Sequence, residues 1–250
     1  MKKLFLFICF IGLAISCDDE NANDCFQTAG PIVQQEFDVP EFDKIVFHKK
    51  VELFITQGDV QKVIVETGEN LLNDVTVKVE NKEIIIRDNN SCNFVRDYNV
   101  TKVYITSPNI TRIRNASEYS VTSNGILTYP NLYLMSVGDK DKFLAVGDFN
   151  ITVDNEKLRV WGNAVGNFYI KGKTNNLDIS FSDGDPRFEG KELIAKNVVV
   201  NQISSNDMVV YPVESLTGEI HSTGDVISYN RPPVVDVIEN NKYGKLIFKE

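Results

Sequence analysis

The chain is poor in the side chains that most catalytic and metal chemistry uses. It has two histidines, His48 and His221, among 250 residues. They stand far apart and in no metal-ligand spacing, so both read as surface or satisfied core positions. Serines are plentiful, but no segment resembles a nucleophile elbow, and a Ser-His-Asp triad is not supported. Positive charge is also scarce, with 26 basic residues against 35 acidic ones, net −9. Such a surface repels nucleic acid and anionic headgroups, so no DNA or RNA partner is expected. No window of a dozen residues carries a helical period; Glu69–Asn73 is at most one helical turn. After the first seventeen residues, no run is apolar for long enough to cross a membrane, which takes roughly 20 residues.

Those first residues read MKKLFLFICFIGLAISC. Lys2 and Lys3 give a positive start, Leu4 to Leu13 an apolar run, and Ser16 a small residue directly before Cys17. This is the pattern of a secretory signal peptide of the lipoprotein kind. It implies diacylglyceryl transfer to the Cys17 thiol and cleavage before it. The alternatives are a retained span, for which the run is too short, and a cut without lipid. Residues 1–16 are thus the expected signal peptide. Residues 17–24, acidic and nearly free of apolar side chains, are the expected flexible tether. Acidic residues beside a lipidated cysteine also resemble surface-export signals of some Gram-negative lipoproteins. The expected location is the outer membrane of such a cell, with the membrane reached through the N-terminal lipid. Without Lys2 and Lys3 the balance becomes 24 basic to 35 acidic, net −11.

Of four cysteines, Cys9 leaves with the leader and Cys17 takes the lipid. Cys25 and Cys92 remain in an oxidising compartment. A disulfide between them is favoured over two free thiols or a metal site, since no histidine lies near. Arg96, four residues after Cys92, is expected to pair with a carboxylate and fix that loop, or else to bind an anion.

Residues 25–250 read as strand after strand. Val51–Thr56 and Val75–Val79 alternate apolar and polar positions. Lys62–Glu66, Ile84–Ile86, Val103–Ile105, Leu132–Leu134, Leu158–Trp161, Leu177–Phe181 and Val198–Val200 continue in β-branched and aromatic residues. From about residue 108 an asparagine precedes an apolar start at Asn109, Asn131, Asn176 and Asn197, followed by Leu216 after Ser215. The intervals are 22, 45, 21 and 19 residues. Turn pairs recur in step at Gly138-Asp139, Gly166-Asn167, Gly184-Asp185, Asn206-Asp207 and Gly224-Asp225, each able to adopt the positive φ of a tight turn. A repeat near 20 residues made only of strands and turns indicates an all-β solenoid, a stack of rungs that share one core; the alternative is a β-sandwich. Arg231-Pro-Pro233 is expected to halt pairing after the last rung, and Gly244–Phe248 to form a final edge strand.

Several segments together resemble the bacterial head GIN domain family of auto-transporter adhesins. They are Asp24–Gly30, Phe42–Ile45, Val51–Gly58, Val63–Glu66, Gly68–Leu72, Cys92–Arg96, Val103–Pro108, Ser222–Val226, Tyr229 and Pro232-Pro233. The resemblance implies a lipoprotein with a right-handed β-helix-like body and no established chemistry. Asn115–Glu118 and Ser204–Asp207 depart from the family's Ser-Gly-rich turns and are expected to loosen the repeat. The function this implies is a non-enzymatic, lipid-anchored envelope module that contacts a protein or glycan surface, without cofactor or metal. A pectinase-like polysaccharide enzyme using Asp183 and Asp185, and a lipid or small-molecule carrier with an apolar cavity, are the alternatives. The Ser182–Asp185 run has the flavour of a calcium loop but lacks the later glutamate of an EF-hand. Trp161, Tyr129, Tyr133, Phe168 and Tyr169 are either a sugar-stacking platform or rung packing.

Overall fold

The computed structural model describes residues 25–98, 100–138 and 144–249. The leader, the lipidation site Cys17, the tether and Asp139 lie outside the described residues.

Among the described residues seventeen strands follow one another: β1 (Ile32–Glu36), β2 (Lys44–His48), β3 (Val51–Gln57), β4 (Lys62–Gly68), β5 (Val75–Glu80), β6 (Glu83–Asp88), β7 (Thr101–Ser107), β8 (Arg112–Ala116), β9 (Val121–Leu127), β10 (Asn131–Ser136), β11 (Phe149–Gly162), β12 (Phe168–Phe181), β13 (Phe188–Gln202), β14 (Met208–Ile220), β15 (Val226–Ser228), β16 (Val234–Glu239) and β17 (Leu246–Phe248). One 3-10 turn, Glu69–Asp74, interrupts them and buries Leu71.

Two long parallel ladders organise these strands. The first runs β6–β2–β8–β10 and on through the second halves of β11 to β14, ending at β16. The second runs β7–β3–β9 and on through the first halves of β11 to β14, ending at β15 and β17. Each of β11 to β14 therefore serves both ladders and bends between them. Parallel rungs joined in this way are a solenoid, as the repeat predicts; a sandwich would be built of antiparallel sheets.

The core is a set of columns running along the stack. Ile84, Ile45, Ile113, Leu134, Val160, Ile179 and Val200 occupy one register line. All are buried. Leu132, Leu158, Leu177, Val198 and Leu216 form a second line. Phe149, Phe168, Phe188 and Met208 form a third on the other ladder. The rings of Phe149 and Phe168 stack 4.7 Å apart. A rung alone leaves these side chains in water; stacking removes them from it, worth about 1.5–3 kcal/mol for each fully buried aliphatic side chain.

The period comes from the corners. Asp148 Oδ1 accepts the Asn167 amide, Asn167 Oδ1 the Arg187 amide, Asp207 Oδ1 the Asp225 amide and Asp225 Oδ1 the Lys245 amide. One side chain per rung thus receives the backbone N–H of the next. Between Arg187 and Asp207 the link is instead an ion pair at 3.1 Å. This ladder corrects the expected turn pairs. Gly184-Asp185 is out of phase with it, and the in-phase residue is Arg187. Of Gly166, Gly184 and Gly224, Gly184 alone has a positive φ, +74°. Gly224 serves close approach instead: a Cβ there would collide with the carbonyl of Asn206.

The periodic asparagines also act differently from the expectation. Asn109 does not open a strand, since β8 begins at Arg112. Asn176 and Asn197 sit inside long strands, at the bend between ladders. There Asn197 donates to Asn176 Oδ1 at 3.4 Å, and Ser215 donates to Asn197 Oδ1 at 2.8 Å.

The two unusual turns do not loosen the stack. The side chain of Asn115, fully buried, accepts from Ser117 N and donates to Tyr119 O. Gln202, also fully buried, accepts from Ser204 N and donates to Asn206 O. Each buried amide satisfies the turn that it starts. The double proline is likewise no terminator. Pairing resumes at Val234, opposite Ser215, so Pro232 and Pro233 occupy the bend between β15 and β16.

At the N-terminal end the direction reverses. β5 covers β6, β4 covers β7 and β1 covers β4, all antiparallel. Cys25 and Cys92 are joined in a disulfide there, with Cα atoms 4.4 Å apart.

Candidate functional site

Strand alternation sends every second side chain outward, and the parallel register aligns those side chains across rungs. On the first ladder one outward row reads Lys44, Arg112, Tyr133, Arg159, Asp178, Val199, Thr217 and Asp236. Beside it run Arg114, the buried Met135, Trp161, Ser180, Asn201 and Glu219.

The centre of this face is an aromatic and guanidinium cluster. The Arg159 guanidinium lies over the Tyr133 ring, 4.8 Å from its centroid. Its Nε is 3.6 Å from Asp178 Oδ2. Arg112 pairs with Glu83 at 2.7 Å. Partial burial raises the Tyr133 phenol above its usual range, with Arg159 opposing that shift. The half-buried Trp161 donates its indole N–H to Ser182 Oγ at 3.1 Å. Asn201 donates to Ser180 Oγ at 3.2 Å. Ring faces held beside fixed polar groups suit a flat partner rich in hydroxyls or amides.

The other expected positions fall elsewhere. Tyr129 is fully buried and donates its hydroxyl to Ser107 O, and Phe168 is core; neither belongs to a stacking platform. Tyr169 is partly exposed, but on the other ladder. Asp183 accepts the Gly184 amide, and Asp185 accepts the Ser205 hydroxyl; both carboxylates hold a polar turn. His221 pairs with Glu219 at 2.9 Å. Among the described residues no three His, Cys, Asp or Glu side chains gather as a metal site. Arg96 donates to Cys92 O at 2.7 Å and Gln27 O at 3.1 Å. Those carbonyl bonds tie down the loop closed by the disulfide.

Two of the cavities that border the stack among the described residues are lined mainly by polar residues. One, about 110 Å³, lies beside that loop and is lined by Asp88, Asn90, Arg96, Tyr98 and Glu118. The other, about 510 Å³, is an open groove at the bend, flanked by Asp154, Glu156, Lys173 and Lys196. Its rim is charged and Lys173 pairs with Asp154 at 3.1 Å, unlike an apolar lipid pocket. Arg112 and Arg159 are candidate site residues that sequence reasoning misses. Their signal is alternation within strands combined with cross-rung register, and register is invisible until the rungs are aligned.

Solved structures share this architecture. A putative adhesin from Bacteroides fragilis superposes with a TM-score of 0.78 at 19% identity, over 89% of this chain and 99% of that one. A putative lipid binding protein from Parabacteroides distasonis gives 0.62 at 15%, over 87% and 97%. A putative adhesin from Parabacteroides merdae gives 0.58 at 14%, over 87% and 97%. At these identities the likeness concerns the fold. No curated protein matches the sequence. Residues 41–232 match a family pattern, and the chain belongs to that family, described as putative auto-transporter adhesin, head GIN domain.

Proposed function

We propose that this protein is a non-enzymatic, lipid-anchored module of the bacterial cell envelope. It is held in the outer membrane through Cys17 and binds a protein or glycan surface through the outward face of its first ladder. The observation that carries the reading is the row Tyr133–Arg159–Asp178 beside Trp161–Ser180, aligned across successive rungs. A flat, multi-rung face suits an extended partner better than a small substrate. The adhesin names of the family and of its structural neighbours agree with it. A polysaccharide-cleaving role asks for converging carboxylates, and Asp183 and Asp185 are engaged in a turn instead.

Two measurements test this. Cys17→Ala should move the protein from the membrane fraction to the soluble one; retention on membranes after a high-salt wash would overturn the anchor. For the face, the purified protein is passed over immobilised polysaccharides and matrix proteins. Tyr133→Ala with Trp161→Ala should weaken retention on the binding support at least tenfold. Equal retention of both forms would remove the face from the reading.

A further inference from the structure

We infer that the disulfide-closed corner at the N-terminal end is a second lipid contact, which lays the capped end of the solenoid against the membrane that holds the anchor. Four large side chains stand exposed in this corner. Phe26 is 54%, Phe94 74%, Val95 54% and Tyr98 79% exposed. The Phe26 and Phe94 rings meet at 5.8 Å, and the Cys25–Cys92 bond fastens their two segments together. Phe94 N also donates to Cys25 O at 2.9 Å, and Asn93 Oδ1 accepts the amides of Val95 and Arg96. The loop is therefore built to present these side chains. Its construction leaves them in water, where isolated apolar groups of this size gain nothing.

The occupant follows from the chain outside the described residues. This inference rests on the Cys17 anchor proposed above. Eight peptide units separate Cys17 from Cys25, and a chain extends by at most about 3.6 Å per residue. The corner is thus confined within roughly 30 Å of the lipid. Aromatic rings and short apolar side chains at that level partition into the headgroup region. Their own affinity for lipid is small, but tethering converts it into an intramolecular equilibrium at millimolar effective concentration. The surrounding charges are mixed, with Arg96 and Lys50 near Asp88, Asp97 and Glu118, so a neutral phosphatidylcholine-like surface fits better than a strongly anionic one.

The test uses the full, lipidated chain with Trp161→Phe to silence the single native indole and Phe94→Trp as the reporter. The protein is reconstituted into phosphatidylcholine vesicles with and without brominated acyl chains, and flotation is scored first. Expected results are flotation with the vesicles, a blue-shifted emission from the introduced indole and at least a twofold quenching by brominated lipid. Adding Phe26→Asp should keep flotation and abolish the quenching. Flotation with an unquenched, water-like emission from the reporter would overturn the membrane contact while leaving the anchor standing. A chain that fails to float would overturn the anchor, and the contact with it.

Discussion

The two ends of the solenoid solve the same problem by different means. Any stack of parallel rungs terminates in free strand edges, which invite pairing with another chain. At the N-terminal end, antiparallel strands β5, β4 and β1 turn the ladder directions over, and a disulfide fixes the corner. At the C-terminal end, β16 and β17 have no outer partner strand among the described residues. There the defence is short length and charge. β17 has three residues, the Arg231 guanidinium covers the Phe248 ring at 4.5 Å, and Lys245 pairs with Glu239 at 2.8 Å. Val234 and Ile238 remain 53% exposed. At one end the edge passes to the antiparallel strands β5 and β1 and a disulfide ties their corner; at the other the defence is electrostatic, and solvent weakens it. Stability in a nearest-neighbour stack is local, so the ends should respond differently to the same kind of damage.

The largest contrast should come from the covalent end. Removing the disulfide with Cys25→Ser and Cys92→Ser reopens a loop of 67 residues, which costs about 4 kcal/mol in the loop-entropy treatment. Chemical denaturation should show a clear loss of midpoint, and an unchanged midpoint would mean that the antiparallel cap alone closes this end. Next in size, Leu177→Ala in mid-stack should cost about 2–5 kcal/mol. The equivalent column position at the open end, Val235, is 37% exposed, and Val235→Ala should cost under about 1 kcal/mol. Equal losses would show that the end rung is covered in solution.

A smaller effect is expected at a corner. Gln202→Leu leaves the Ser204 amide without its acceptor, while the Asn206 carbonyl keeps the Ser204 hydroxyl as a donor, a cost of about 1–3 kcal/mol. Exchange of the Ser204 amide should speed up, and an unaltered rate would show that the turn does not depend on that side chain. The smallest effect concerns pH. A hydrogen bond from Lys245, then one from the Leu246 amide, hold the Glu239 carboxyl below its usual range. A carboxyl with a lowered folded-state pKa adds stability above its ordinary range and loses it as pH falls through the lowered value. The Leu246 amide resonance should therefore titrate in acid, below the ordinary glutamate range, and Glu239→Gln should abolish the titration.

Strands were legible because inward positions are β-branched, aromatic or leucine, with polar residues between them, as at Val51–Gln57. The 3-10 turn at Glu69–Asp74 also agrees with the single helical turn read from Glu69–Asn73. Phase was harder. Gly-Asp pairs suggest turns, but the same residue types occur both on the corner ladder, as at Asp225, and off it, as at Asp185. Only register separates them. Strand direction was not legible either. Lys62–Glu66 alternates in the same way as Val51–Thr56, yet β4 is antiparallel to β7 and β3 parallel to it. Pattern reports which face is buried, whereas direction depends on where the connection returns. The proposed face was half visible: Tyr133 and Trp161 stand out as aromatics, while Arg112 and Arg159 acquire meaning through the strands that lie beside theirs.

The corner ladder from Asp148 to Lys245 has a consequence for how such a molecule changes length. Because the rungs hand one backbone N–H to the side chain of the rung before, except at the Arg187–Asp207 ion pair, most interior rungs present the same socket on one side and the same plug on the other. A duplicated or deleted segment of about 20 residues that includes neither Arg187 nor Asp207 would therefore rejoin without a mismatch, and each such event moves the far tip by about 4.8 Å. The protein is in this sense a graduated rod, whose length can be reset in whole divisions while the rest of the stack keeps its contacts.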